Sequence, residues 1–414
     1  MPPARRRVLA FRMGAGARLA AALLVIGSVA FGCVGRMAPP PAPSTVRAEL
    51  WPGAVRYRVA RGTASFVEVG RQSLRNELAW RASTGQTGPL PPADFLAISG
   101  GGDDGAFTAG LLAGWTAHGD RPEFKGVTGV STGALIAPFA FLGPRYDEVL
   151  KAIYTNVSQK NIFHRRSPFE IIFGDAVSDT TPLRKLTAMY VDQRLLDEIA
   201  AEYAKGRVLL VGTTDLDTLE PVIWNLTAIA ASKDPRALPL FRTVMVASAS
   251  IPGAFPPVMI DVEVDGRHYQ EMHVDGGAMT QVFLYPPSVD IAGEAAAEGV
   301  TRSRAAYVIR NARLDPDWAN VKRRTLPIAG RAIISLMQTQ GIGDLYRIFV
   351  TTQRDHVDFN LAYIPASFTE PHTEPFDPKY MRALYQTGYD LAARGYPWGK
   401  FPPGYDKPVL TAAH

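Results

Sequence analysis

The sequence predicts an α/β protein built on a mainly parallel sheet, and three observations carry that expectation. From Asp94 onward, short β-rich runs alternate with helix-like stretches, the pattern of a parallel sheet with crossover helices. The run "FLAIS" (95–99) passes through "GGGDDG" directly into a helix-like stretch, and "FKGVTG" (124–129) does the same through "VSTG". Glycine-rich turns of this kind, at the carboxyl ends of strands, are where such folds gather their chemistry.

The first 32 residues read as a signal peptide. Arg5, Arg6, Arg7, Arg12 and Arg18 flank the apolar run "LAAALLVIGSVAFG" (19–32), which is too short to span a bilayer. These five arginines account for the whole excess of 44 basic over 39 acidic residues. The remainder is near neutral, which removes the electrostatic case for nucleic-acid binding. The run ends on Cys33, the sole cysteine, so no internal disulfide can form. The segment resembles a bacterial lipoprotein signal, which implies acylation at Cys33 and a lipid-anchored envelope protein. Ala30 and Gly32 equally suit ordinary signal peptidase and a secreted product. "APPPAP" (38–43) is a stiff spacer, and residues 33–92 as a whole read as anchor, spacer and an extension packed on the main domain. Residues 93–414 read as the catalytic domain with a C-terminal helical extension.

Within that domain the strand candidates are 95–99, 124–129, 207–216 and 305–311. Residues 256–277 read as a hairpin turning at Asp265-Gly266, with Asp275 delivered to the end of its second strand. One helix follows the glycine loop, with Phe107, Leu111, Leu112 and Trp115 on one face and Gly119 as its cap. A second begins after Ser131, and a third, long and amphipathic, is expected over 182–206.

Gly100, Gly102 and Gly105 satisfy the dinucleotide pattern G-x-G-x-x-G, but Asp103 and Asp104 would repel a pyrophosphate. The next strand runs instead into Gly129-Val130-Ser131-Thr132-Gly133. G-x-S-x-G between strand and helix is a nucleophile elbow: small neighbours permit the sharp turn that exposes a serine hydroxyl. A serine attacking an ester creates an oxyanion, and Gly100, Gly101 and Gly102 offer backbone N–H donors unobstructed by side chains. Asp275-Gly276-Gly277 offers a base. Each motif alone is compatible with a plain turn; together, each at a strand end, they point to acyl transfer.

With these residues in place the chain resembles the patatin-like phospholipase family over roughly residues 93–312. "SGGGDDGAF" (99–107), "GVSTG" (129–133) and "DGG" (275–277) match its marks, and "MVASASIPGAFPPV" (245–258) resembles its alanine–serine block. The resemblance implies a three-layer α/β/α fold and hydrolysis of lipid acyl esters by a Ser131–Asp275 dyad without histidine. It also implies an oxyanion hole at Gly100–Gly102, supported by Gly105, Gly129, Gly133, Gly276 and Gly277. Asp104 stands where the family usually carries Lys or Arg, and the expectation is that its carboxylate points away from the site.

The rival mechanism is a triad completed by His356 or His372, both in polar stretches. His273 is expected to share the strand face of Asp275 in a supporting role, and His118 to close a helix. No cofactor or metal is expected: the histidines are scattered, and Asp215 and Asp217 read as a turn. Residues 161–176 mix Phe163, Phe169, Ile171, Ile172 and Phe173 with His164-Arg165-Arg166, and read as a buried segment or an interfacial lid. The partners expected are membrane lipid and the membrane surface. A non-catalytic lipid-binding envelope lipoprotein is the alternative to an enzyme.

Overall fold

The computed structural model describes residues 36–41, 55–58, 62–167, 170, 174–316 and 318–405. The leader, Cys33, Phe169 and Ile171–Phe173 lie outside the described residues.

Among the described residues, nine strands form one sheet: β1 (Arg56–Arg58), β2 (Ala93–Ile98), β3 (Gly126–Val130), β4 (Val208–Asp215), β5 (Glu220–Asn225), β6 (Val258–Val264), β7 (Arg267–Asp275), β8 (Arg304–Arg310) and β9 (Asp358–Tyr363). The order β9-β8-β2-β3-β4 is parallel throughout. β5 and then β1 extend the sheet antiparallel beyond β4. β7 pairs antiparallel with the carboxyl end of β4, and β6 with β7. The expected hairpin is therefore present; Asp265 and Gly266 both have positive φ (51° and 75°), as a tight two-residue turn requires.

The helices that matter here are α1 (Ala64–Ser83), α2 (Gly105–His118), α3 (Thr132–Leu142), α4 (Thr181–Tyr190), α5 (Gln193–Ala204), α6 (Ala237–Ser248), α7 (Thr325–Arg354) and α8 (Pro378–Ala393). They cover both faces of the sheet, giving three layers. Strand alternation divides the core between the faces. Leu96, Ile98, Leu209 and Val211 pack with Phe107, Leu111 and Ile136 of α2 and α3. Ala97, Val308 and Phe359 turn the other way, onto Leu345, Ile348 and Phe349 of α7. Full burial of side chains this size contributes about 1.5–3 kcal/mol each.

One expectation is corrected. The single helix over 182–206 is two, α4 and α5, broken at Val191-Asp192, because Asp192 caps α5 by accepting the Leu195 N–H at 2.9 Å. Phe163 is buried in one cluster with Leu183 and Phe255, in keeping with the buried-segment reading of its stretch. β5 and β9 had not been expected.

Candidate active site

Strand register brings the three motifs together. Ile98 of β2 lies opposite Gly129 of β3, Val130 opposite Gly212 of β4, and Thr213 opposite Asp275 of β7. The glycine loop after β2, Ser131 after β3 and Asp275 at the end of β7 thus meet at one end of the sheet.

Ser131 sits at the junction of β3 and α3 with φ 55° and ψ −124°, a conformation that non-glycine residues seldom adopt. Strain of this kind is held in place by its surroundings. A Cβ on Gly129 would lie 2.4 Å from the Gly133 carbonyl, and one on Gly133 would lie 2.3 Å from that of Ile98. The elbow therefore demands glycine at both positions. The Ser131 N–H donates to Ser248 Oγ at 3.0 Å, and Ser248 Oγ donates to the Gly212 carbonyl at 2.7 Å. Ser248 ends α6, inside the alanine–serine block whose position the sequence marked but whose task it did not reveal.

Asp275 is buried. Its N–H donates to the Ser250 carbonyl at 2.8 Å, and its Oδ1 accepts the Gly277 N–H at 2.7 Å. Oδ2 is buried with no hydrogen-bond partner, yet the Ser131 hydroxyl lies close enough to favour the charged form. The Ser131 hydroxyl therefore lies near the Asp275 carboxyl without a hydrogen bond of standard geometry between them. Burial pushes the Asp275 carboxyl up to about 7, with the Ser131 hydroxyl and Gly277 N–H opposing.

The glycine loop is clamped from below by Asn311. Asn311 Nδ2 donates to the Ser99 carbonyl at 3.0 Å, its N–H donates to Ser99 Oγ at 2.8 Å, and its Oδ1 accepts from Thr108 Oγ1 at 2.6 Å. Gly101 has φ 153°, and a Cβ there would fall 2.3 Å from the Asn311 carbonyl. The N–H groups of Gly101 and Gly102 have no hydrogen-bond partner among the described residues. Gly100 differs, which corrects its assignment as an oxyanion donor: its N–H already donates to the Gln281 carbonyl at 3.0 Å. Its role is spatial, since a Cβ would come within 3.1 Å of Ser131 Cβ. Gly105 opens α2 beside Thr132 Oγ1, and Gly276 packs on the Gly212 carbonyl.

Asp103 and Asp104 hold a distant part of the chain. Asp103 Oδ2 accepts from the Phe376 N–H at 2.7 Å and from His372 Nε2 at 2.8 Å. Asp104 Oδ1 accepts from the Tyr380 hydroxyl at 2.6 Å, at the start of α8. The hydrogen bond to Asp103 raises the His372 pKa. Burial lifts the Asp104 carboxyl to about 7, the Tyr380 hydrogen bond opposing. The carboxylates latch the loop to residues 372–380 rather than facing a bound anion, and His372 is the basic group that the sequence could not locate.

Sequence reasoning also missed Arg310, at the end of β8. Its buried guanidinium donates to Gln281 Oε1 at 3.4 Å while Nε has no partner. Burial lowers its pKa to about 10 against the pull of Asp344 and Asp104. The remaining histidines stand apart from Ser131 and Asp275. His356 is exposed beyond α7, His118 pairs with Asp120, and His273 bonds to Thr213 Oγ1 and Glu271. No histidine hydrogen-bonds to Ser131 or Asp275 among the described residues.

Asp215, Glu271 and His273 bring ligand atoms within 4.8 Å of one another, a cluster that the sequence expectation had not found. Its carboxylates already face cations: Arg58 lies 2.7 Å from both Asp215 and Glu271, and Arg56 reaches Glu271 at 2.5 Å. Burial would raise Glu271, but His273 and the two arginines outweigh it and hold it at about 2. A metal ion would have to displace a guanidinium. An apolar cavity lies at the opposite end of the sheet beside Ala93, Gly126 and Val208, away from Ser131 and Asp275. A second backs onto the site through Val130, Gly212 and Gly276.

Residues 96–286 match the family model described as patatin-like phospholipase. This span runs from β2 through β7 and includes the elbow, the loop and Asp275, so residues 96–286 form a patatin-like phospholipase domain. No curated protein matches the chain. Solved structures similar to it include VipD from Legionella pneumophila, at 13% identity and a TM-score of 0.32. The type III effector protein ExoU is similar at 13% identity and a TM-score of 0.21. The alignments cover 73% and 74% of this chain but only 66% and 53% of those structures. Likeness this remote carries no functional argument.

Proposed function

We propose that this protein is a serine acyl hydrolase of lipid esters, working through a Ser131–Asp275 dyad. The observation that carries the reading is the buried Asp275 carboxyl, one oxygen unpartnered, near the Ser131 hydroxyl, together with the Gly101 and Gly102 N–H groups, which have no partner among the described residues.

As Ser131 Oγ attacks the acyl carbonyl, Asp275 takes the hydroxyl proton. The N–H groups of Gly101 and Gly102 hold the oxyanion that forms. Collapse of the tetrahedral intermediate breaks the bond to the alcohol or lysolipid, which leaves with the proton from Asp275. Water then attacks the acyl-enzyme, Asp275 again accepting the proton, and the fatty acid and free Ser131 are released. A carboxyl raised to about 7 is a far better base than an ordinary aspartate, and is ionised in about half of the molecules at neutral pH. The latching of Asp103 and Asp104 to His372, Phe376 and Tyr380 keeps their charges off the oxyanion.

The apolar run ending on the sole cysteine supports export by a cleaved signal peptide and acylation at Cys33, which would place the enzyme on a bacterial envelope membrane. Incubating purified protein with an envelope lipid extract, followed by mass spectrometry, tests the reading. Free fatty acid and lysolipid should accumulate, and both should vanish with Ser131→Ala. An unchanged lipid profile with wild-type protein would reject it.

A further inference from the structure

Helix α7 has two unlike halves. From Gly341 onward it is part of the molecule. A Cβ on Gly341 would touch the Arg310 guanidinium at 2.5 Å, Asp344 Oδ2 accepts the Gln281 N–H at 2.7 Å, and Leu345, Ile348 and Phe349 are core. Gln281 is also the residue whose carbonyl binds Gly100, so the helix meets the body at the wall of the glycine loop. Its first half, together with residues 318–324 leading into it, leaves the body. Trp318 is 86% exposed, Ile328 50%, Ile333 51%, Ile334 54% and Leu336 70%. The same stretch carries Lys322, Arg323, Arg324 and Arg331, and from Trp318 to Gly343 there is no acidic residue.

We propose that residues 318–336 form an interfacial element that docks on an anionic lipid surface and brings the mouth of the active site to it. The proposal rests on the lipid-hydrolase reading only for the purpose it gives the docking. Apolar side chains exposed together with an all-basic charge set characterise helices that lie in the headgroup region. No described helix is long and apolar enough to cross a membrane, so the element lies on the surface rather than spanning it. A second copy of the chain is the poorer occupant, because a two-fold contact through this stretch would set Lys322, Arg323 and Arg324 against cations with no carboxylate of the stretch to meet them.

The chain has no cysteine besides Cys33, so in a Cys33→Ser background a nitroxide attached at Ile334→Cys reports this helix alone, whatever else touches the bilayer. With phosphatidylcholine vesicles containing phosphatidylglycerol, collision with oxygen should rise and collision with a water-soluble nickel chelate should fall. The expected depth is about 5–10 Å. A label at Met189→Cys, on α4, should stay aqueous. Combined Lys322→Glu, Arg323→Glu and Arg324→Glu should weaken vesicle binding about tenfold or more and remove most of its salt dependence. Combined Ile333→Ser and Leu336→Ser should lower turnover of vesicle phospholipid, yet leave turnover of a soluble short-chain ester within about twofold.

An Ile334 label that stays open to the nickel chelate on vesicle-bound protein overturns the proposal. So does immobilisation without vesicles, whether it grows with protein concentration, as for a second copy, or is constant, as for another segment of this chain. Depth is read without catalysis, so failure of the hydrolase reading would appear separately, as absent ester turnover in wild-type protein.

Discussion

Replacing Asp275 by Asn should make the protein more stable and inactive, with a pH signature worked from the site. In the folded state the carboxyl is raised to about 7 from an ordinary 3.8 because it is buried. The folded protein therefore binds more protons than the unfolded chain between those values, and stability contributed by this group is lost as pH rises through about 7. A tenfold change in proton affinity corresponds to about 1.4 kcal/mol, so the charged carboxylate destabilises the fold by about 4 kcal/mol above pH 8 and by under about 1 kcal/mol near pH 4. Asn keeps the acceptor for the Gly277 N–H and carries no charge. Urea unfolding of both proteins at the two pH values should show the Asn variant gaining about 4 kcal/mol at the alkaline pH and almost nothing at the acid one. Ester turnover should fall by about 10³-fold or more. A stability difference that does not change with pH, or a loss of stability at alkaline pH, would refute the assignment of Asp275 as a desolvated carboxyl.

The same titration predicts that wild-type kcat/KM rises with pH through about 7, as Asp275 loses its proton; a pH–rate profile on a soluble ester checks this. Gly101→Ala places a Cβ 2.3 Å from the Asn311 carbonyl, so the loop must move, and kcat should drop by about 10²-fold or more in steady-state assays. Ser248→Ala leaves the buried Ser131 N–H without its acceptor and should lower stability by about 1–3 kcal/mol in denaturant titration, with a matching loss of turnover. His372 has a raised folded pKa through Asp103, so its contribution is complete below 6.5 and disappears as pH climbs through the raised value. His372→Ala should therefore destabilise more at pH 6 than at pH 9 and change kcat by less than about tenfold, whereas a drop of about 10³-fold would restore a histidine mechanism.

Much of the fold was legible because local pattern and tertiary role agree. β2, β3, β4, β7 and β8 are runs of apolar or alternating residues, and glycine punctuates the carboxyl ends of β2, β3 and β7, as the loop and the elbow require for steric reasons. What stayed hidden depends on contacts between segments far apart in the chain. β5, "EPVIWN", passes without a break into the helix Leu226–Ala231, so no turn marks its end. The break between α4 and α5 turns on one capping aspartate inside an otherwise continuous helical pattern. Asp103 and Asp104 were conspicuous in the sequence, but their partners His372, Phe376 and Tyr380 lie some 270 residues further on. Ser248 was visible only as part of a block, and Arg310 only as the last residue of a strand. The Gly100 N–H looked available because its acceptor, the Gln281 carbonyl, comes from a loop that no motif marks.

The most direct test of a hydroxyl activated by a neighbouring carboxyl is covalent trapping with a fluorophosphonate, followed by intact-mass and peptide analysis. The account predicts one adduct, located on Ser131, that forms faster as pH rises through about 7 and is lost or slowed by about 10³-fold in Asp275→Asn. Labelling of a different serine, or labelling of Ser131 at the same rate in Asp275→Asn, would contradict it.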